Sequence, residues 1–135
     1  MKRILLAFAF FACATEKSAG TPPSPVDVVQ KEVDAYNAQN IDAFVAMYAE
    51  NAVVTRGPEK AVWLQGRQAI RDTYGKLFTK YPNGRVRIAE RRVEGNEVVD
   101  HEIVTGRGPE RPDPWDVGWV RNVVENGLIT RVELP

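Results

Sequence analysis

Apolar residues recur three and four positions apart in three stretches of the chain, which predicts three amphipathic helices. The first helix follows the start signal Ser24-Pro25 and extends to about Ala38. The second is capped by Asn40, and the third runs over residues 67–81 before a Pro-Asn-Gly stop. The predicted apolar faces are Val26, Val29, Val33 and Tyr36; Ile41, Phe44, Val45 and Tyr48; and Ile70, Tyr74, Leu77 and Phe78.

The remaining patterns are those of β-strands. Short strands are predicted at 52–55 and 61–64, on either side of a Gly-Pro turn. Longer strands are predicted at 85–94, 97–105, 115–125 and 128–134, the last two joined by the two-residue turn Asn126-Gly127. Three helices followed by a mostly antiparallel sheet indicate an α+β domain with its helices on one face.

The balance of charged residues argues against some classes of binding partner. The chain has 135 residues, with 18 lysines and arginines against 18 aspartates and glutamates. No basic field therefore favours nucleic acid or an anionic membrane as a partner. Four arginines at positions 85, 87, 91 and 92 are expected on a solvated or edge-protecting face of a strand.

The first 13 residues have the character of a signal peptide. Lys2 and Arg3 precede a short apolar core at 4–12, which is too short for a stable membrane anchor. Cys13, the one cysteine, fits a lipoprotein signal whose cysteine receives lipid, with residues 14–25 as a polar tether. Ala12-Cys13-Ala14 also fits ordinary secretory cleavage, and a cytoplasmic protein with a misassigned start is a third interpretation. We expect export, as an envelope lipoprotein or a periplasmic or secreted protein.

Four motifs, in their order and spacing, resemble the nuclear transport factor 2-like superfamily in its SnoaL-like and ketosteroid-isomerase-like branch. They are the helix-to-strand passage at 41–54, Gly66-Arg67-x-x-Ile70, Asp100-His101-Glu102-x-x-Thr105-Gly106 and Asn126-Gly127-Leu128-Ile129. The resemblance covers residues 26–134 and implies a cone-shaped domain at 26–135. In such domains three helices pack on a curved sheet around a pocket for a small, mostly apolar ligand. The resemblance also makes a homodimer through the outer sheet face an expectation.

The residues that ketosteroid isomerase uses are displaced or replaced in this chain. That enzyme combines a carboxylate base with a tyrosine and a protonated aspartic acid. Arg56 stands where the resemblance would place the base, and Trp119 or Val120 where it would place the acid. The tyrosine position falls near Glu32, one helical turn before Tyr36. We therefore expect no steroid isomerase of that mechanism.

His101 is the candidate catalytic residue. Strand alternation places Val99, His101 and Ile103 on the more apolar face of their strand, which we expect to face the cavity. A histidine there could act as a general acid or base near neutral pH. The alternative to catalysis is that His101 is hydrogen-bonded within the wall of the cavity and plays a structural role. Asp100 and Glu102 would then lie on the outer side, solvated or paired with the arginines at 85–92.

Large side chains on the helices and strands are the candidate pocket lining. Arg56 could bind an oxyanion near the cavity mouth, or form a rim salt bridge. The aromatic residues would suit a hydrophobic or aromatic ligand, although aromatics at helical spacing are more often core. The aromatic candidates are Tyr36, Tyr48, Trp63, Tyr74, Phe78 and Trp119.

Three functions remain open. The first is an exported domain that binds a small hydrophobic or aromatic molecule in its central cavity. The second is an isomerase, dehydratase or cyclase that uses His101 as general base, with Arg56 or a tyrosine holding the developing oxyanion. The third is a protein-interaction module. With one histidine, one cysteine, no glycine-rich phosphate loop and no nucleophile-elbow serine, we expect no metal or cofactor.

Overall fold

The computed structural model describes residues 20–135. The predicted signal segment with Cys13 lies outside this range, as do residues 14–19 of the predicted tether. The elements in chain order are α1 (Pro25–Asn37), α2 (Ile41–Val45), β1 (Tyr48–Arg56), β2 (Ala61–Gln65), α3 (Arg67–Lys80), β3 (Arg85–Glu94), β4 (Glu97–Thr105), β5 (Trp115–Glu125) and β6 (Leu128–Leu134). Among the described residues, no helix is both long and apolar enough to cross a membrane.

The helices begin where their capping residues stand. In α1 the Ser24 side chain accepts a hydrogen bond from the amide of Asp27, and Pro25 occupies the first helical position. In α2 the Asn40 side chain accepts from the amide of Ala43. Gly66 precedes α3 with a φ of 90°, a conformation that glycine adopts most readily.

The second helix is shorter than predicted, because Tyr48 begins β1 and does not continue α2. Tyr48 lies opposite Ile129 of β6, and the amide of Ile129 donates to the carbonyl of Met47 at 2.8 Å. The Tyr48 ring nevertheless packs on Phe44, with ring centroids 5.3 Å apart. The helix-like spacing of Tyr48 from Phe44 therefore corresponds to a contact between the two rings, although Tyr48 lies in a strand.

Six strands form one mixed sheet in the order β2-β1-β6-β5-β4-β3. Strands β1 and β6 are parallel, and the other neighbouring pairs are antiparallel. Register shifts interrupt several ladders, including one between Ile88 and Glu90 of β3 and one between Glu102 and Ile103 where β4 pairs with β5. The helices in the N-terminal part of the chain pack on the curved sheet. This arrangement confirms the predicted α+β fold.

The core lies between the helices and the inner sheet face. Phe44 is fully buried and packs against four aromatic rings, with centroids 4.7–6.2 Å apart, those of Tyr36, Tyr48, Tyr74 and Phe78. Asn37, the last residue of α1, fastens this layer to edge strand β3. Its side-chain amide donates to the carbonyl of Val86 at 2.9 Å and accepts from the amide of Val86 at 2.7 Å.

Candidate functional site

A cavity of about 350 Å³ lies between helices α1 and α3 and the inner face of the sheet. Both polar and apolar side chains line it, and two of the polar ones are acidic. Glu32 reaches it from α1, and Glu102 reaches it from β4. Paired carboxyl groups in a mostly apolar cavity are unusual, because burial disfavours their charged form.

Glu32 is held by a tyrosine. The Tyr48 hydroxyl donates to Glu32 Oε1 at 2.8 Å. Burial raises the pKa of Glu32 to about 7, although the hydrogen bond from Tyr48 opposes the rise. Burial also raises the pKa of Tyr48 well above its usual value, so the tyrosine keeps its proton and remains a donor.

Glu102, unlike Glu32, receives no hydrogen bond from a tyrosine. Burial raises the pKa of Glu102 to about 8, with repulsion from Glu32 and Asp100 adding to it. Within residues 20–135, no hydrogen bond reaches its carboxyl group. At neutral pH this side chain is therefore mostly a protonated acid, and it can donate one hydrogen bond into the cavity.

Beneath these acids lies an ion pair. Arg91 of β3 forms a bidentate contact with Asp100 of β4, with nitrogen–oxygen distances of 2.7 and 2.8 Å. Asp100 is fully buried, and Arg91 also donates to the side chain of Gln30 on α1 at 2.9 Å. The positive charge of Arg91 partly offsets the burial that raises the pKa values of Glu32 and Glu102.

Three arginines also line the cavity: Arg56, Arg107 and Arg111. Burial lowers the pKa of Arg56, and the nearby charges of Arg111 and Arg107 lower it further. Arg107 contacts the Tyr36 hydroxyl at 3.4 Å. The site thus combines acids that favour the protonated form with a separate group of guanidinium cations.

Of the residues predicted to line the pocket, five border the cavity: Tyr36, Tyr48, Arg56, Trp63 and Tyr74. Phe78 lies instead in the aromatic core, where its ring meets Tyr36 edge-on with centroids 5.3 Å apart. The Arg56 guanidinium lies 3.3 Å from the centroid of the Trp63 ring. Among the described residues it forms a stacking contact and not the rim salt bridge, which was one of the two alternatives for this residue.

His101 lies on the opposite face of β4 from the cavity, so its predicted orientation was wrong. The cavity side of β4 is formed by Glu102 and Val104. His101 Nε2 lies 2.7 Å from Asp116 Oδ1, and its ring stacks on Trp119 with centroids 5.2 Å apart. The prediction assumed that the more apolar face of β4 faces the cavity. It failed because the inward face of this strand carries the carboxyl groups of Asp100 and Glu102.

The same correction applies to Asp100 and Glu102, which were expected to be solvated on the outer side. Asp100 does pair with an arginine of the 85–92 group, but on the inner side of the sheet. None of Glu32, Asp100 and Glu102 was chosen as a site residue from the sequence. The one available signal concerned Glu32, because the resemblance placed the isomerase tyrosine near that position.

Trp119 also lies on the outer face, where Arg92 covers its ring at 4.2 Å. A register shift between β4 and β5 explains this placement. Trp115 and Val117 face the cavity, but so do Val120 and Asn122, because the irregularity near Gly118 reverses the alternation. Trp119 is thereby turned away from the cavity, opposite His101.

No three histidine, cysteine, aspartate or glutamate side chains of residues 20–135 are grouped so as to hold a metal ion. The arrangement can bind an apolar molecule, donate hydrogen bonds to it, and exchange protons with it through Glu32 or Glu102.

Comparison with known proteins supports the assigned fold. A family model described as a SnoaL-like domain matches residues 29–132. A search of curated proteins finds no match. Among solved structures, an uncharacterized cystatin-fold protein from Novosphingobium aromaticivorans is 24% identical, with a TM-score of 0.74, covering 84% of this chain and 98% of the other.

Two further structures are similar. A proposed polyketide cyclase from Sinorhizobium meliloti is 25% identical over 81% of this chain and 94% of its own, with a TM-score of 0.69. A computationally designed 17-OHP binder is 16% identical over 83% of this chain and 91% of its own, with a TM-score of 0.62.

Proposed function

The chain belongs to the SnoaL-like domain family, and from this premise we propose that it binds a small, largely hydrophobic or aromatic molecule in its central cavity. The observation that carries the proposal is a cavity of about 350 Å³ bordered by Tyr36, Tyr74, Trp63 and Trp115. That volume suits a molecule of two or three fused rings, and its few polar groups would orient the ligand. A protein-interaction module would need no such cavity.

Two structural neighbours are consistent with this proposal. One is a proposed polyketide cyclase and another was designed to bind 17-OHP. Both share the fold of this chain, and the second shows that a ligand can be bound by this fold. The identity of this chain's own ligand is a separate matter, decided by its cavity residues.

The test is retention of a ligand by the purified full-length protein, detected by native mass spectrometry. Val117 borders the cavity, so Val117→Trp should fill part of it and abolish retention. Val62→Trp is the matched control, since Val62 is 62% exposed on β2. Equal retention by both variants, with unchanged circular dichroism, would place the ligand elsewhere and contradict the proposal.

A second candidate is a proton-transfer enzyme of the isomerase, dehydratase or cyclase type. It is favoured by Glu32 and Glu102, whose raised pKa values lie near the working pH of a general base or acid. One carboxylate would take a proton from a carbon next to a carbonyl group, and the other acid would return a proton at a second carbon. The Tyr36 hydroxyl or Arg107 could stabilise the enolate oxygen in between.

Deuterium incorporation next to the carbonyl group of a cyclic ketone, followed by NMR in D₂O, tests this candidate. Glu32→Gln and Glu102→Gln should each slow exchange by about a hundredfold, while His101→Gln should not. No exchange above the buffer rate with the wild type across a panel of enones and lactones would rule out catalysis on these substrates.

We further propose export, with lipidation of Cys13 as the favoured route. This rests on the sequence pattern of residues 1–25. Expression of wild type and Cys13→Ser should distinguish the routes. A lipoprotein is found in the membrane fraction and loses that location with the substitution, whereas a secreted protein is found in the soluble fraction in both cases.

A homodimer through the outer sheet face is also proposed, on the family resemblance. Light scattering of the purified protein measures the mass directly. A monomeric mass across the accessible concentration range would contradict it.

A further inference from the structure

Three arginines gather at one end of the cavity, and each guanidinium lies over an aromatic ring. These are Arg56, Arg107 and Arg111. Such stacking holds a guanidinium plane in place while leaving its N–H edge free to donate. The distances to the ring centroids are 3.3 Å for Arg56 over Trp63, 4.9 Å for Arg107 over Tyr81 and 4.5 Å for Arg111 over Trp115.

No carboxylate of the described chain pairs with any of these three arginines. The Nε atom of Arg107 is buried and has no hydrogen-bond partner there. Burial is the main cause of the lowered pKa of Arg56, and repulsion from Arg111 and Arg107 lowers it further. Arg56 and Arg111 are exposed, so Arg107 Nε is the one buried donor of these three side chains without a partner. Such a donor is costly, and a bound hydrogen-bond acceptor would relieve that cost.

The topology explains why the three arginines meet. Arg56 ends β1, which runs parallel to β6, so it lies beside Leu134 at the end of that strand. Arg107 and Arg111 follow β4, which ends opposite the start of β5 at Trp115. All these positions lie where β1, β4 and β6 end and β5 begins, so the arginines lie together at one end of the cavity.

The other end of the cavity carries two carboxyl groups and an amide. Glu32 lies one helical turn before Tyr36, about 6 Å away along the axis of α1. Burial raises the pKa of Glu32 to about 7, so about half of this group is ionised at neutral pH. Glu32, Glu102 and Asn122 all border the cavity. Because burial raises the pKa of Glu102 to about 8, this acid is mostly protonated at neutral pH and donates a hydrogen bond without repelling an anion.

Between these ends the wall is apolar. The side chains that form it come from α1, α3 and four strands, and none of them offers a hydrogen bond. They include Val33, Leu77, Val86, Val104, Val117 and Val132.

We propose that the cavity selects a small aromatic or alicyclic carboxylate: its carboxylate group binds Arg56, Arg107 and Arg111, its ring lies along the apolar wall, and a hydroxyl or carbonyl group at its far end meets Glu32 and Glu102. The inference rests on the proposed small-molecule binding and names the class of ligand. A planar carboxylate matches the paired N–H donors of a guanidinium. A cationic ligand would meet three positive charges on entry, and a neutral one would leave the three guanidinium groups without a counter-charge.

Three naphthalene probes of equal shape test the class: 2-naphthoate, 2-naphthamide and 2-naphthylmethylammonium. Calorimetric titration of the full-length protein measures their affinities, and quenching of Trp63 and Trp115 fluorescence reports entry into the cavity. We expect 2-naphthoate to bind about tenfold or more tightly than the amide, and the ammonium probe to bind weakest. Raising the ionic strength from about 0.05 to about 0.5 M should reduce that preference.

Substitutions locate the effect. Arg56→Gln, Arg107→Gln and Arg111→Gln should each weaken 2-naphthoate about fivefold and leave 2-naphthamide nearly unchanged. Arg87→Gln is the matched control, because Arg87 is exposed and does not border the cavity. Circular dichroism checks that each variant is folded.

The outcomes separate the two proposals. If the amide binds as tightly as the carboxylate, or if the three arginine variants behave as Arg87→Gln does, the carboxylate inference is wrong while the binding function stands. If none of the probes enters the cavity and the purified protein retains no ligand, both proposals are wrong.

Discussion

The Tyr48 hydroxyl donates a hydrogen bond to the Glu32 carboxyl at 2.8 Å, joining the first residue of β1 to the middle of α1. This contact crosses the polar end of the cavity and connects two buried groups. Burial raises the pKa of both. The tyrosine therefore stays protonated, and the carboxyl group is the one that titrates.

Tyr48→Phe should raise the pKa of Glu32 further above about 7. The substitution removes a hydrogen bond that favours the carboxylate and leaves the ring packing on Phe44 in place. We expect a rise of about one unit, measured by carbon-13 NMR of the glutamate carboxyl groups against pH. Tyr81→Phe, on a tyrosine that does not border the cavity, is the control. An unchanged or lower pKa in Tyr48→Phe would show that the contact does not stabilise the ionised acid.

Glu32 and Glu102 should make the protein less stable as the pH rises. Their pKa values in the folded protein are about 7 and about 8, against 4.5 as the ordinary value. At pH values between about 4.5 and 8, the folded state therefore holds more protons on these two groups than the unfolded chain does. Proton linkage then makes the free energy of unfolding fall as the pH rises through this window, by a few kcal/mol in total.

Urea denaturation at about pH 5, 6, 7 and 8 measures this slope. Glu32→Gln and Glu102→Gln should each reduce it, and the double substitution should reduce it most. Glu59→Gln, which removes an exposed carboxylate, should leave it unchanged. Equal slopes in all four variants would contradict the assignment of the raised pKa values to these two residues.

Arg91→Met should destabilise the fold by about 3–5 kcal/mol, because it leaves the fully buried Asp100 carboxylate without its partner. Replacing both partners, as Arg91→Met with Asp100→Leu, should recover much of the loss. A double-mutant cycle from urea denaturation gives the coupling energy. The surface pair Arg71 and Asp42 serves as the matched control and should contribute at most about 1 kcal/mol.

His101→Ala should leave ligand binding within about twofold of wild type, because His101 lies on the outer sheet face beside Asp116 and Trp119. Calorimetric titration with 2-naphthoate measures this, and the same variant in the ketone exchange assay tests its predicted catalytic role. A large loss of binding or exchange, in a variant that remains folded, would restore His101 as a site residue.

Local sequence signals were sufficient for most of the fold. The bounds of β3, β4, β5 and β6 match their predicted ranges, because turn residues interrupt the chain between them. The start of α1 follows from Ser24 and Pro25 in the same way. Tyr48 was wrongly assigned to α2, and the reason is physical. Its ring packs on Phe44 although it stands in a strand, so its spacing from Phe44 looks like that of a helix.

The side-chain faces of the strands were not determined by local signals. In β3 the register shift after Ile88 reverses the alternation, so Arg91 turns inward to Asp100 while Arg92 covers Trp119 on the outer face. One additional residue in a strand moves every later side chain to the other face. Alternation counted along the sequence contains no sign of such a shift.

The sequence by itself therefore determined the elements, their order and the fold, because caps, turns and apolar spacing act over a few neighbouring residues. Only the tertiary structure decided which polar groups meet in the cavity. Glu32 and Glu102 stand 70 positions apart in the chain, and they are neighbours because α1 lies across β4. Their shared burial, which gives them their chemistry, exists only when the helices close over the sheet.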